Sequence, residues 1–237
     1  IPLLNVYGFI NFTRDVSDGK DVNRSFPGHL NGSLASRVAR ILTKKILPQA
    51  DVAIDFHTGG SARYNYPQIR YSKKDPVAAQ MAFNTNLRYL IEQPLIKSSF
   101  RRAASDMKVP AIVYEGGESI RLDRLSIESG IETIKSQLSA LGMADGFNVT
   151  PPAEQWIIHK TSWIRASVPG LFIWSKKAGE VVSKGEKLGE IKEAFGTKST
   201  DIIAKIDGHI ICHNNASVVS LGDALFHIGD EYSKVRG

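Results

Sequence analysis

A stretch of eleven residues occurs twice in the last third of the chain, and this duplication limits what that region can fold into. Val181-Val182-Ser183-Lys184-Gly185-Glu186-Lys187-Leu188-Gly189-Glu190-Ile191 returns 37 positions later as Val218-Val219-Ser220-Leu221-Gly222-Asp223-Ala224-Leu225-Phe226-His227-Ile228. Both copies fit V-V-S-x-G-[D/E]-x-L-x-x-I. Each sets β-branched residues before a tight Gly-acidic turn and follows the turn with another short strand, so the repeat predicts a two-fold all-β module of short hairpins. Upstream, Thr150-Pro151-Pro152 is stiff and extended, which marks 148–152 as a linker and divides the chain into residues 1–150 and 151–237. His209, Cys212 and His213 lie inside the module. Strand alternation puts Cys212 on the face opposite His213, so the three are not read as a metal site.

Ahead of the linker the periodicity changes. The opening Ile1-Pro2-Leu3-Leu4-Asn5 is apolar and breaks at Gly8, as a short strand feeding a loop does. Ser33 suits a helix N-cap, and Leu34, Val38, Ile41 and Leu42 recur on one helical face until Pro48 ends the helix. Asp51 to Phe56 reads as a buried strand that delivers His57 at its C-terminal edge, after which Thr58-Gly59-Gly60 turns the backbone away. Asp75-Pro76 starts a helix expected to reach about Leu90. Ala111-Ile112-Val113-Tyr114 is a second short strand, ending in Glu115 and broken by Gly116-Gly117. Ile127, Ile131, Ile134, Leu138 and Leu141 then step at helical intervals up to Gly142. Strands alternating with helices predict an α/β fold with a mostly parallel mixed sheet flanked by helices. Ligands of such sheets bind beyond the C-terminal strand ends, where His57 and Glu115 both fall.

Between Arg14 and Gly28 two arginines and an asparagine crowd a segment whose Gly and Pro content forbids a continuous helix or central strand. An ordered loop carrying Arg14, Asn23 and Arg24 is an anion grip: each guanidinium binds a carboxylate through two parallel hydrogen bonds, and the Asn amide adds a neutral donor. Arg63 and Tyr64, just past His57, are second-rank contacts for the same substrate.

The net charge is +6 over 237 residues, with 42% apolar and 23% charged residues, as in an ordinary globular protein. The basic residues are scattered and match no nucleic-acid motif, so the excess is read as favouring a small anionic substrate and no nucleic acid partner is expected. No apolar run approaches the roughly 20 residues of a membrane span. The chain starts at Ile1 without Met or a charged leader, so no secretory signal is expected, and the single Cys212 fits a reducing cytoplasm.

Taken in order, Asn5 to Phe9 (N-x-x-G-F), Phe12-Thr13-Arg14, Asp18 to Gly28 (D-G-K-D-V-N-R-S-F-P-G), Asp55-Phe56-His57-Thr58-Gly59-Gly60 and Tyr114-Glu115-Gly116 resemble the succinylglutamate desuccinylase/aspartoacylase family of the zinc carboxypeptidase superfamily. The resemblance covers residues 1 to about 142. It implies a zinc-carboxypeptidase-like domain over 1–150 and one zinc ion per subunit with His57 as a ligand. The other two ligands, spaced H-x-x-E, are expected upstream of Ile1. It also implies Glu115 as general base, with Glu118 the competing carboxylate, Arg14 as oxyanion stabiliser, and Asn23 and Arg24 as holders of the substrate carboxylate. The activity implied is hydrolysis of the amide bond of a small anionic N-acylated amino acid or similar carboxylate, a C–N bond other than a peptide bond, with room for a homo-oligomer. A metal-free binding module and a zinc carboxypeptidase acting on peptides are the alternatives. The repeat over 151–237 resembles the barrel-sandwich fold of lipoyl and biotinyl carrier domains. Lys198 lies in the carrier-lysine interval, but Gly196-Thr197-Lys198-Ser199-Thr200 lacks the flanking pattern of a modified lysine.

Overall fold

The structure is a computed structural model in which residues 1–147 and 152–236 are described; of the linker expected at 148–152, only Pro152 is among them. The chain forms two compact units. One comprises Ile1–Phe56, Tyr71–Ala82 and Gln93–Val113, and the other His57–Arg70, Phe83–Glu92 and Tyr114–Gly237, a division that does not follow residue 150.

In the first unit the opening residues form no strand. Asn5 caps helix α1 (Val6–Asn11) by accepting the Gly8 N–H at 2.9 Å, while its amide donates to the Arg14 carbonyl at 3.0 Å. The cap is stronger local chemistry than the apolar run before it. Ser33 caps α2 (Leu34–Ile41) as expected, and helical turns continue through Leu42–Ile46 and Leu47–Gln49, so that Pro48 lies in the last turn rather than stopping the helix. Ala35, Ala39, Leu42 and Leu47 pack against Val16, Val22 and Phe26 and against Ala103 and Ala104. Ile41 points outward, 52% exposed. The two alanines let the helix approach closely on a face shifted from the one the larger residues marked. Asp75 caps α3 (Pro76–Phe83), accepting the N–H groups of Val77 and Ala78. Helix α4 (Phe100–Asp106) is capped by Ser99.

Twelve strands are described: β1 (Ala53–Gly59), β2 (Arg63–Tyr71), β3 (Tyr89–Glu92), β4 (Ala111–Glu118), β5 (Gln155–Arg165), β6 (Gly170–Trp174), β7 (Val181–Val182), β8 (Lys187–Lys192), β9 (Ser199–Ile203), β10 (Gly208–Asn214), β11 (Val218–Val219) and β12 (Ala224–Arg236). Three expectations are corrected here. The helix after Pro76 ends at Phe83, and Tyr89 to Glu92 pair as a strand with β5. Strand β4 runs through Gly116-Gly117 to Glu118 instead of breaking there. Strand β1 runs through His57 and Thr58 to Gly59 instead of ending at Phe56, and the turn follows it, ahead of the nine-residue strand β2 that Arg63 and Tyr64 open.

The larger sheet has the order β1-β4-β2-β3-β5-β12-β10-β7. It is mixed: β3 and β5 are parallel, whereas β5–β12, β12–β10 and β10–β2 are antiparallel. Because β10 pairs with β2 as well as β12, the five strands β2-β3-β5-β12-β10 close on themselves. Strands from the C-terminal third therefore share a ladder with strands from the region before the linker. A second sheet, β11-β6-β8-β9, completes the C-terminal part, whose core is Ile164, Phe172, Leu188, Ile191, Ile210 and Phe226 with their neighbours.

The sequence repeat is a structural repeat. In one copy the Ser183 N–H donates to Glu186 Oε2 (3.0 Å) and the Gly185 N–H to the Ala204 carbonyl (2.8 Å). In the other, the Ser220 N–H donates to Asp223 Oδ2 (2.7 Å) and the Gly222 N–H to the Ala166 carbonyl (2.9 Å). The glycines take φ of +89° and +88°, which only glycine adopts without strain.

Helix α5 (Arg124–Ala140) turns its small and polar residues Ser126, Gly130, Thr133, Ser136 and Gln137 inward. Ile127, Ile131 and Ile134, the residues at helical spacing, remain 42–48% exposed.

Candidate active site

Every residue of β4 is buried, which places the Glu115 carboxylate where water cannot freely solvate it, so that protein groups must. Asn65 of β2 does part of this: its Nδ2 donates to Glu115 Oε2 at 2.8 Å, with both residues buried. The other oxygen, Oε1, lies 3.7 Å from His57 Nδ1 and 3.6 Å from Arg70 Nη1, both longer than a normal hydrogen bond. One carboxylate oxygen is thus anchored, and the other stands beside an imidazole and a guanidinium.

Glu118, the competing carboxylate, is engaged on both oxygens, by Arg121 Nε on Oε1 and by Asn215 Nδ2 on Oε2 (2.9 Å). Burial raises its pKa, but the hydrogen bonds from Arg121 and Asn215 outweigh that, and the net shift is downward. A carboxylate held in its charged form by two donors is a poor proton acceptor.

Tyr64 donates its hydroxyl to Asp123 Oδ2 (3.0 Å), the N-cap of α5, and its pKa is pushed up to about 12, first by burial and then by that hydrogen bond and charge. This phenol ties β2 to α5. Arg63 is half-buried at the start of β2, opposite Asn214 of β10.

Arg14, Asn23 and Arg24 all belong to the first unit and gather around Asp21. Arg14 Nε pairs with Asp21 Oδ2 at 2.7 Å, Arg24 Nη1 lies 4.0 Å from the same oxygen, and the Asn23 N–H donates to Asp21 Oδ1 at 2.7 Å. Asn23 Oδ1 accepts the Phe100 N–H at 2.7 Å. The loop is ordered as the residues suggested, but one carboxylate of its own already partners its cations, a feature the anion-grip reading left out of account.

The histidines of the C-terminal strands are structural. His213 Nδ1 accepts the Ala178 N–H (3.1 Å), and burial pushes its pKa down to about 4. His209 packs among Tyr89, Trp156 and Tyr232, and His227 stacks on Trp163 with ring centroids 4.1 Å apart. Burial pushes the Cys212 thiol up to about 12. Among the described residues no group of three His, Cys, Asp or Glu side chains is arranged to hold a metal ion. No described helix is long and apolar enough to cross a membrane.

Sequence reasoning brought His57 and Glu115 to one place through their positions on strands, and the structure sets them side by side. It missed Asn65 and Arg70, because the strand that carries them was not recognised. Their signal was polar side chains, Arg63, Asn65, Gln68 and Arg70, interleaved with tyrosines and Ile69 in one run.

Residues 1–141 match the model of the succinylglutamate desuccinylase/aspartoacylase catalytic domain. The chain belongs to this family. An N-alpha-acetyl-L-2,4-diaminobutyric acid deacetylase of Halomonas elongata is 23% identical over 228 residues, covering 90% of this chain and 66% of that protein, so the chain spans slightly under two thirds of that relative. Among solved structures, a succinylglutamate desuccinylase/aspartoacylase from Rhodobacter sphaeroides superposes with a TM-score of 0.87 at 23% identity, over 98% of this chain and 74% of its own. The product-bound ectoine utilization protein EutE (DoeB) from Ruegeria pomeroyi gives 0.88 at 21% identity, over the same 98% and 74%. At these identities the likeness is one of fold.

Proposed function

We propose that this chain carries the catalytic residues of a zinc-dependent deacylase that hydrolyses the amide bond of a small N-acylated amino acid or similar carboxylate. The observation that supports it best is the Glu115 carboxylate, buried, anchored through Oε2 by Asn65, and presenting Oε1 beside His57. Family membership and a relative named as an N-acetyl amino acid deacetylase support the reaction class.

The residues present fit a zinc site in kind: a neutral imidazole is a normal zinc donor, and a carboxylate just outside the ligand set is the usual base beside one. His57 would be one ligand, with the other two those expected upstream of Ile1. Zinc, when bound, would supply Lewis acidity to the scissile carbonyl and lower the pKa of its water. Glu115 Oε1 would accept the proton of the attacking water and return it to the leaving amine. The roles of Arg14 at the oxyanion, of Asn23 and Arg24 at the substrate carboxylate, and of Arg63 and Tyr64 near it belong to the same proposal. So do a catalytic domain over 1–150, a barrel-sandwich-like module over 151–237 and a cytoplasmic setting.

The test is metal analysis of the full-length protein followed by Glu115→Gln kinetics on N-acetyl amino acids. One zinc per chain and a kcat about 10³-fold lower at unchanged zinc content are expected, within the usual range for a general base. A Glu115→Gln enzyme with wild-type kcat would remove Glu115 from the chemistry.

A further inference from the structure

Glu115 has two carboxylate oxygens in different surroundings. Oε2 receives a hydrogen bond of 2.8 Å from the neutral amide of Asn65, while the nitrogens nearest Oε1 lie beyond hydrogen-bond length, His57 Nδ1 at 3.7 Å and the Arg70 guanidinium Nη1 at 3.6 Å. Rotation of the carboxylate about its Cγ–Cδ bond would exchange them, and such terminal torsions are broad and roughly two-fold when nothing holds them. Asn65 is what breaks that symmetry. Glu118 illustrates the alternative, with donors on both oxygens and neither left to act.

Asn65 is itself buried within a row of paired strand positions. It lies directly across from Cys212 of β10, which lies across from His227 of β12, which lies across from Trp163 of β5. These four paired positions belong to consecutive strands of the closed five-strand set. Paired residues project to the same side of their sheet, and Asn65, Cys212 and His227 are all buried. The C-terminal strands thus form the row against which the Asn65 side chain is set.

We propose that Asn65 is a positioning residue for the reaction: its amide fixes the rotation of the Glu115 carboxylate so that Oε1 is the oxygen that exchanges the proton, and the pairing of β10 with β2 holds that amide in place. The inference rests on Glu115 being the base. It gives the C-terminal strands a part in the chemistry through the pairing of β10 with β2.

A double-mutant cycle on the full-length zinc-loaded protein, with an N-acetyl amino acid as substrate, separates positioning from simple support of the fold. Asn65→Ala is expected to lower kcat 10- to 100-fold with KM within two-fold. The same change in a Glu115→Gln background, where no base remains to be oriented, is expected to cost less than two-fold. Asn65→Leu, of similar shape but without the donor, should fall as far as the alanine variant. Asn65→Thr keeps a donor on a β-branched side chain suited to the strand, and it should recover part of kcat. Thermal melts of each variant show whether it is folded, and Asn65→Thr carries the comparison if the alanine variant is not. Equal losses in the wild-type and Glu115→Gln backgrounds, or Asn65→Ala and Asn65→Leu enzymes within two-fold of wild-type kcat, would overturn the assignment while leaving Glu115 as the base. A fully active Glu115→Gln enzyme would overturn both.

Discussion

The two copies of the C-terminal turn allow a stability measurement with its control built into the same molecule. Gly185 and Gly222 have φ of +89° and +88°, and a Cβ added at either meets nothing within 4 Å. Both backbone N–H groups keep their hydrogen bonds, to Ala204 and Ala166, whichever side chain is present. Alanine at either site therefore pays only for the left-handed backbone, about 1–2 kcal/mol, less about 0.4–1 kcal/mol because alanine also restricts the unfolded chain. The net expectation is about 1 kcal/mol for Gly185→Ala and the same for Gly222→Ala. Gly208→Ala is different in kind: its Cβ would fall 2.4 Å from the Gly229 carbonyl oxygen and 2.7 Å from Ile228 Cγ2, inside the β10–β12 ladder. Those atoms belong to backbone and packed core, so a loss of about 3 kcal/mol is expected. Urea unfolding followed by the fluorescence of Trp163 and Trp174 reads all three. If the two turn variants differ by more than about 1 kcal/mol, or if Gly208→Ala is the mildest, the argument from backbone conformation and close approach is wrong.

Stability should also depend on acid in a definite direction. Burial holds the pKa of His209 and His213 down at about 4 and that of His227 at about 3. Between pH 6.5 and 4 the unfolded chain therefore binds protons that the folded chain refuses, and stability falls as pH falls through that window and is flat with respect to these groups above it. His227→Phe, which keeps a ring on Trp163, should reduce the slope by up to about 1.4 kcal/mol per pH unit, and an unchanged slope in pH-dependent urea midpoints would contradict the burial argument. On helix α5 the exposed Ile131→Ser should alter stability by no more than about 0.5 kcal/mol. The inward Thr133→Leu should cost about 1–3 kcal/mol by overpacking, and a reversed order in thermal melts would mean that the helix face has been misassigned.

That helix shows where the sequence could be read and where it could not. Spacing fixed α5 as a helix, because apolar residues at three- and four-residue steps are a local signal. Which side faces inward is decided by close approach, and Gly130, Ser126 and Thr133 outcompete three isoleucines by being small. The same happened in α2, where Ala35 and Ala39 define the buried face and Ile41 does not. Strand β2 escaped notice because Pro67 and its arginines disguise the alternation, and β3 because Tyr89, Leu90 and Ile91 fit a helix continued from Pro76. His57 and Glu115 were legible, since each closes or interrupts an apolar run of strand character. Asn65 was not, because its part depends on a ladder with residues nearly 150 positions away. In the Arg14 loop the cations were plain in the sequence, whereas the pairing of Asp21 with Arg14 needed coordinates.

The ladder between Asn65 and Cys212 also bears on how the protein is made. A ribosome releases β10 (from Gly208) long after β2 (from Arg63), so the edge of β2 that β10 will cover waits unpaired through that interval, and its closure is a long-range event of the slow kind. A chain cut short before Gly208 would keep His57 and Glu115 in its sequence yet leave the strand bearing Asn65 with an open, aggregation-prone edge. Quality control that discards such unfinished chains would be acting on that uncovered backbone long before any substrate is met.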